Sequence, residues 1–224
     1  MSDLTAPTSQ STVKAPAIRR PKRLAAIYGG TPFQHRTLNE PKYRKHIDDI
    51  IYLPDLPGVD LSQYDAVMIP DRMHPEMMMA GQERIDRYLD QGGTVIAFGE
   101  QPTPLLPGVD WEFRPTNFWW WLDPNASSGL VLTKPEHSLF NYISLADCTW
   151  HQHGVFTPPE GAETLVSMDD GGVVMYVDRV STPGALIVTC LDPISHYGSY
   201  FMPATEQFLN GFLPWVSEQL LEKP

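Results

Sequence analysis

Pro75-Glu-Met-Met-Met-Ala80-Gly-Gln-Glu-Arg-Ile85-Asp-Arg-Tyr-Leu-Asp90-Gln-Gly-Gly-Thr-Val95-Ile-Ala-Phe-Gly-Glu100 is the stretch whose reading decides the fold. Met78, Ile85, Tyr88 and Leu89 fall near one helical face, Pro75 suits a first turn, and Gly92-Gly93 suits a left-handed exit. The spacing therefore predicts a helix from Pro75 to Asp90. Thr94 to Phe98 follows without a polar residue after its first position, as expected of a strand covered on both faces. A helix feeding a fully buried strand is the repeating unit of a parallel α/β sheet.

Working toward the N-terminus, the same pattern recurs. Leu24 to Tyr28 is a short apolar run ending in Gly29-Gly30, Ile50 to Leu53 is a second run closed by Pro54, and Ala66 to Ile69 is a third, closed by Pro70 and introduced by Ser62-Gln63-Tyr64-Asp65. These runs are too short for helices and read as strands. Toward the C-terminus, Gln101 to Asn125, rich in proline and tryptophan, reads as a long loop over the sheet. Further strands are expected at Thr149 to Val155, Glu163 to Met168, Val173 to Val177 and Ala185 to Leu191, with a turn at Gly171-Gly172. A last helix is expected from Ala204 to Leu221, bent or interrupted at Pro214. The whole reads as an α/β fold whose parallel sheet is covered on both faces.

Composition sets the boundaries. The 224 residues, 42% of them apolar, suit one globular domain. No apolar run is long enough for a membrane span, the N-terminus lacks the apolar region of a secretory signal, and a soluble, cytoplasmic protein is expected. Cys148 and Cys190 are too few for a disulfide framework or a four-thiolate metal site and read as buried small residues. Residues 1–23 carry Lys14, Arg19, Arg20, Lys22 and Arg23 against Asp3 alone and read as a disordered basic tail, leaving residues 24–224 as the domain. The body is therefore more acidic than the net charge of −11 for the whole chain. That sign repels phosphate backbones, so neither nucleic acid nor membrane is an expected partner.

Leu24-Ala-Ala-Ile-Tyr-Gly-Gly, Leu61-Ser-Gln-Tyr-Asp-Ala-Val-Met-Ile-Pro, and Ile85 to Leu89 leading into Asp90-Gln-Gly-Gly-Thr-Val-Ile-Ala-Phe-Gly, in that order, resemble the class I glutamine amidotransferase-like superfamily. The resemblance implies a flavodoxin-like three-layer α/β sandwich with a mostly parallel central sheet. His137, Trp150-His-Gln-His-Gly and Gly184-Ala-Leu-Ile-Val-Thr-Cys-Leu-Asp-Pro-Ile-Ser-His-Tyr-Gly are similar to the branch of trehalose-utilisation (ThuA)-like proteins and β-galactosidase trimerisation domains. The resemblance implies an elbow after the fourth strand that bears a nucleophilic cysteine in active amidotransferases. Here Gly99 and Glu100 stand at that position, so a thiol-dependent glutaminase is not expected. The family's catalytic histidine corresponds to His196, which is followed by Tyr197-Gly198 in place of the usual His-x-Glu.

Glu100, at the C-terminal end of a central strand, lies where open α/β sheets bind ligands and is the candidate general base; the plainer alternative is a turn cap or an ion pair with Arg72 or Arg114. Gly30, His35, Arg72 and His74 leave other strands at the same edge and are candidate ligand-binding residues. Trp120, in the Trp119-Trp120-Trp121 run, is a candidate sugar platform, against loop packing or an oligomer contact. His151 and His153 alternate on an expected strand and are candidate metal ligands with His196 or His137 as a third, against ordinary hydrogen-bonded histidines. No cofactor is otherwise expected. Two functions remain open: binding of a small polar molecule such as a sugar derivative, with hydrolytic chemistry, or a catalytically silent homo-oligomerisation module.

Overall fold

The computed structural model describes residues 23–115, 122–123, 125–200 and 202–221. The basic tail up to Lys22 and the tryptophans at 119, 120 and 121 lie outside the described residues. Four parallel strands open the sheet: β1 (Leu24–Tyr28), β2 (Asp49–Tyr52), β3 (Ala66–Ile69) and β4 (Thr94–Phe98). β1 sits between β2 and β3, and β3 pairs with β4 in the register Val67 to Val95. The far side of β4 takes up β10 (Ala185–Thr189), also parallel, with Leu186 opposite Val95. Every residue of β3 and β10 is buried, which explains why these strands read as unbroken apolar runs. The strand order β2-β1-β3-β4 is that of a flavodoxin-like sheet.

Beyond β10 the sheet turns antiparallel. β9 (Val173–Asp178) pairs with β10, and β8 (Glu163–Met168) and β7 (Gly154–Phe156) share the other edge of β9. β5 (Trp111–Phe113) pairs with β7, and β6 (Leu130–Leu132) with β8. The expected loop at Gln101 to Asn125 thus contains a strand, β5. The expected strand over Thr149 to Val155 is corrected more substantially. Residues Leu145–Cys148 make a 3-10 turn and only Gly154–Phe156 enters the sheet, because Trp150 turns inward to hydrogen-bond Asp192 before the ladder can begin.

The helices α1 (Pro32–Asn39), α2 (Pro41–Arg44), α4 (Pro193–Gly198) and α5 (Pro203–Trp215) pack together, while α3 (Pro75–Asp90) packs against the 3-10 segments Leu53–Gly58 and Leu61–Gln63. α3 has the expected bounds, buries Met78, Ile85, Tyr88 and Leu89, and leaves Met77 and Met79 exposed. Thr31 caps α1 by accepting from the Gln34 amide, with Pro32 in the first turn. Pro214 does not end the last helix early. α5 passes after Trp215 into a π-helical stretch, Val216–Leu220.

The face of β4 toward α5 is aromatic: Phe98 meets Phe208 and Phe212 edge-on at centroid distances of 6.4 and 5.3 Å, and Trp150 closes on Phe208 at 5.7 Å. All four side chains are buried. Phe212→Ala is expected to lower unfolding free energy by about 3–5 kcal/mol in urea titrations. A loss below about 1 kcal/mol would mean that α5 does not rest on β4.

Candidate functional site

Three neighbouring strands, β3, β4 and β10, end at one edge and send their chains into one place. After β3 the chain runs Pro70-Asp71-Arg72, with Asp71 buried and Arg72 at φ 59°, a left-handed backbone unusual for a side chain of that size. After β4 comes Gly99 at φ 80°, whose amide donates to the carbonyls of Thr189 at 2.8 Å and Leu191 at 2.9 Å. A Cβ on Gly99 would lie 2.6 Å from the Asp71 Cβ. Only glycine satisfies both the conformation and the approach. After β10 the chain passes through Cys190-Leu191 to Asp192, the N-cap of α4, which places His196 one turn farther on the same face. The Trp150 to His153 segment arrives from the antiparallel wing.

Asp192 is the hub. Its Oδ1 accepts from the Trp150 indole at 3.1 Å, and its Oδ2 lies 3.0 Å from His196 Nε2 and 3.3 Å from an Arg72 guanidinium nitrogen. His196 Nε2 also stands 2.9 Å from His151 Nε2, and the His151 and His153 ring centroids are 5.0 Å apart. His153 Nε2 in turn lies 3.7 Å from Glu100 Oε1, a charge contact too long for a hydrogen bond. Glu100 therefore faces His153. Arg72 is engaged by Asp192, and Arg114 by Asp170 and Glu112. One nitrogen from each of His151 and His196 and one oxygen of Asp192 lie within 4.8 Å of one another, and this trio is what could hold a metal.

Asp71 and Asp192, both buried, are driven in opposite directions. Burial alone would raise Asp192, but the His196 hydrogen bond and charge, the Trp150 indole and Arg72 hold its carboxyl below the usual range. Asp71 is pushed up to about 6 by burial and by the charge of Asp192, against the opposing hydrogen bonds of Ser195, whose amide reaches Asp71 Oδ1 at 3.3 Å. Burial pushes His151 down to about 4, although Asp192 pulls the other way. Both cysteines are buried. Cys148 is pushed up to about 12 and Cys190 higher still by burial, so neither is poised as a thiolate.

Two cavities flank this cluster. One of about 110 Å³ is lined by Arg72, Met73, Phe98, Glu100 and Gln101; the other, of about 190 Å³, is lined by Trp150, His151, Gln152, Arg114 and Ser128 among others. The structure thus gathers Glu100, Arg72, His151, His153 and His196. The remaining candidates sit elsewhere along the edge. Gly30 is exposed near Tyr52, and His35 is exposed with its ring edge-on to Tyr28 at 5.9 Å. His74 is exposed at the N-cap of α3. His137 accepts from the Leu139 amide and stands 5.7 Å from the Trp215 ring, in a different contact set from His151. Trp120 lies outside the described residues.

Sequence reasoning gave no site role to Asp71, Asp192, Trp150 or Gln34. Gln34 is buried, bonding the Gly29 amide at 2.9 Å and the Asp71 carbonyl at 2.8 Å, and so ties the β1 and β3 loops together. A signal for Asp192 was present in Asp192-Pro193, an N-cap followed by proline, with a histidine four residues on.

No family model matches the chain, and no curated protein sequence matches it. Solved structures do. A glutamine amidotransferase from Thermotoga maritima aligns over 92% of this chain and 100% of its own at TM-score 0.54 and 11% identity. A ThuA-like protein from Bacteroides uniformis aligns over 94% and 96% at 0.50 and 12%. The exo-β-1,4-mannosidase Op5Man5 from an Opitutaceae bacterium aligns over 91% of this chain but 37% of its own, at 0.51 and 13%. At these identities the likeness shows the shared amidotransferase-like fold. Among the described residues no helix is long and apolar enough to cross a membrane.

The raised Asp71 fixes a pH dependence. Its folded value exceeds the unfolded one, so its stabilising contribution is complete below about pH 4 and is lost as pH climbs toward 6, on the order of 2–3 kcal/mol in all. Asp71→Asn is expected to remove that loss: its stability relative to wild type should improve by about that amount between pH 4 and pH 7 in urea titrations. Parallel pH profiles for the two proteins would contradict the assignment.

Proposed function

We propose that the chain binds a small polar ligand, of the sugar or sugar-derivative class, at the edge where β3, β4 and β10 end, and acts on it by acid–base hydrolysis rather than as a thiol-dependent glutaminase. The observation that carries this reading is the buried Asp192, which fixes Arg72, Trp150 and His196 around one carboxylate beside Glu100. A carboxylate held in its charged form by an arginine and a histidine is an arrangement for orienting an imidazole, and the oriented His196 serves as acid or base. Glu100, 30% exposed at the side chain and opposite His153, is the base that activates water. Arg72 supplies the fork for ligand oxygens. The absence of a cysteine at the Gly99 elbow, with both thiols of the chain buried, argues against a thioester route. The sugar class rests on the fold likeness to a segment of a mannosidase.

A second reading, a homo-oligomerisation module without catalysis, is favoured by exposed apolar side chains on the outermost strands: Phe113 on β5 and Val131 on β6 are 64% and 43% exposed. A thermal-shift screen of sugars and amides on wild type, Glu100→Ala and Arg72→Ala separates the two. The first reading expects a compound that at about a hundred times its Kd stabilises wild type by roughly 2.7 kcal/mol and both variants far less. Compounds that stabilise all three proteins equally would place binding elsewhere. A Phe113→Asp variant that turns an oligomer into a monomer while no compound discriminates would establish the second reading.

A further inference from the structure

His196 stands where two neighbouring side chains compete for one ring nitrogen. A ring nitrogen presents one in-plane lobe, holding either a proton or a lone pair, and so makes one straight hydrogen bond. His196 Nε2 nevertheless faces both Asp192 Oδ2 at 3.0 Å and His151 Nε2 at 2.9 Å. Three atoms of metal-ligating type from two separate chain segments converge here, all within 4.8 Å of one another. A cation among them would be held by all three.

We propose that His151 Nε2, His196 Nε2 and Asp192 Oδ2 form a site for a single divalent zinc-type metal ion with an open fourth position. The inference rests on the reading of this edge as a ligand-binding site and names the ion that would work there; with His196 engaged on the ion, Glu100 is left as the acid–base group. Two imidazoles and one carboxylate suit zinc and other late transition metals, whereas calcium and magnesium prefer oxygen alone. Bonds of 2.0–2.1 Å in a tetrahedron separate ligand atoms by about 3.3 Å. The two separations here fall a few tenths of an ångström short of that, which a slight parting of the rings supplies. His151, Asp192 and His196 are 4%, 2% and 5% exposed, so the ion would sit in a site shielded from bulk water.

Asp192 has the orienting partner that such a ligand requires. The Trp150 indole occupies Asp192 Oδ1, which orients the carboxylate and leaves Oδ2 toward the histidines. Asp71 and Glu100 add acidic groups nearby. Arg72 competes for Oδ2 from 3.3 Å, but its side chain is 43% exposed and can turn outward when a metal takes the oxygen. The cavity of about 190 Å³ beside His151 has room for a water and a small ligand.

The test uses the full chain, purified without a histidine tag and stripped with a chelator. Zinc titrated calorimetrically is expected to bind one ion per chain with a Kd of micromolar or tighter and to raise Tm. Cobalt in its place is expected to give the visible bands of a four-coordinate nitrogen and oxygen site. His151→Gln and Asp192→Asn should each weaken zinc binding at least about tenfold, and His46→Gln should leave it unchanged. Folded wild type that takes up no stoichiometric zinc or cobalt overturns the proposal, as does uptake that both variants retain in full. Should the variants fail to fold, the stoichiometry and cobalt spectrum of wild type decide. The outcome is separable from the ligand reading: zinc uptake without any compound that discriminates Glu100→Ala removes that reading and keeps the metal, and the reverse result keeps the reading and removes the metal.

Discussion

The close approach of Gly99 to Asp71 is the constraint on which the rest of the site depends. β4 cannot end where it does unless its next residue takes a left-handed turn and has no side chain. The Gly99 amide is shared between the carbonyls of Thr189 and Leu191, so the exit of β4 is fastened to the exit of β10. The space a Cβ would need is filled by Asp71, so the same residue is pressed against the exit of β3. Three parallel strands are thereby drawn together at their C-terminal ends, and the loop residues they carry meet.

That convergence explains the electrostatics. Two carboxyl groups brought into a dry place cannot both be charged without countercharge. Asp192 receives the countercharge from Arg72 and His196 together with an indole hydrogen bond, and Asp71 receives backbone and serine contacts and retains its proton more tightly. Arg72 reaches Asp192 from a left-handed backbone that costs roughly 1–3 kcal/mol for such a residue.

The fold was legible from the first half of the sequence because each parallel strand there is an apolar run with a defined stop: Gly29 after Tyr28, Pro70 after Ile69, Gly99 after Phe98. α3 was legible to its ends because proline opens it and Gly92, at φ 89°, closes it. The antiparallel wing was harder. β5 and β6 are three residues each, too short for periodicity to register, and the Trp150 to His153 segment has strand-like alternation but owes its shape to a long-range bond from Trp150 to Asp192. The site was half legible for the same reason. Glu100, Arg72 and His196 could be assigned to strand ends, and the alternation of His151 and His153 brought both to notice. Their contacts, Glu100 with His153 and His151 with His196, join positions far apart in the chain, and nothing local encodes them.

The measurement that reaches the centre of this account is a double-mutant cycle at the elbow, with Gly99→Ala made in wild type and in an Asp71→Gly background and unfolding free energies taken from urea titrations. The account predicts that Gly99→Ala costs wild type at least about 1–3 kcal/mol and that a substantial part of the cost disappears when Asp71 no longer has a Cβ to collide with, the remainder being the left-handed backbone. A Gly99→Ala protein as stable as wild type, or a cost identical in the two backgrounds, would contradict it.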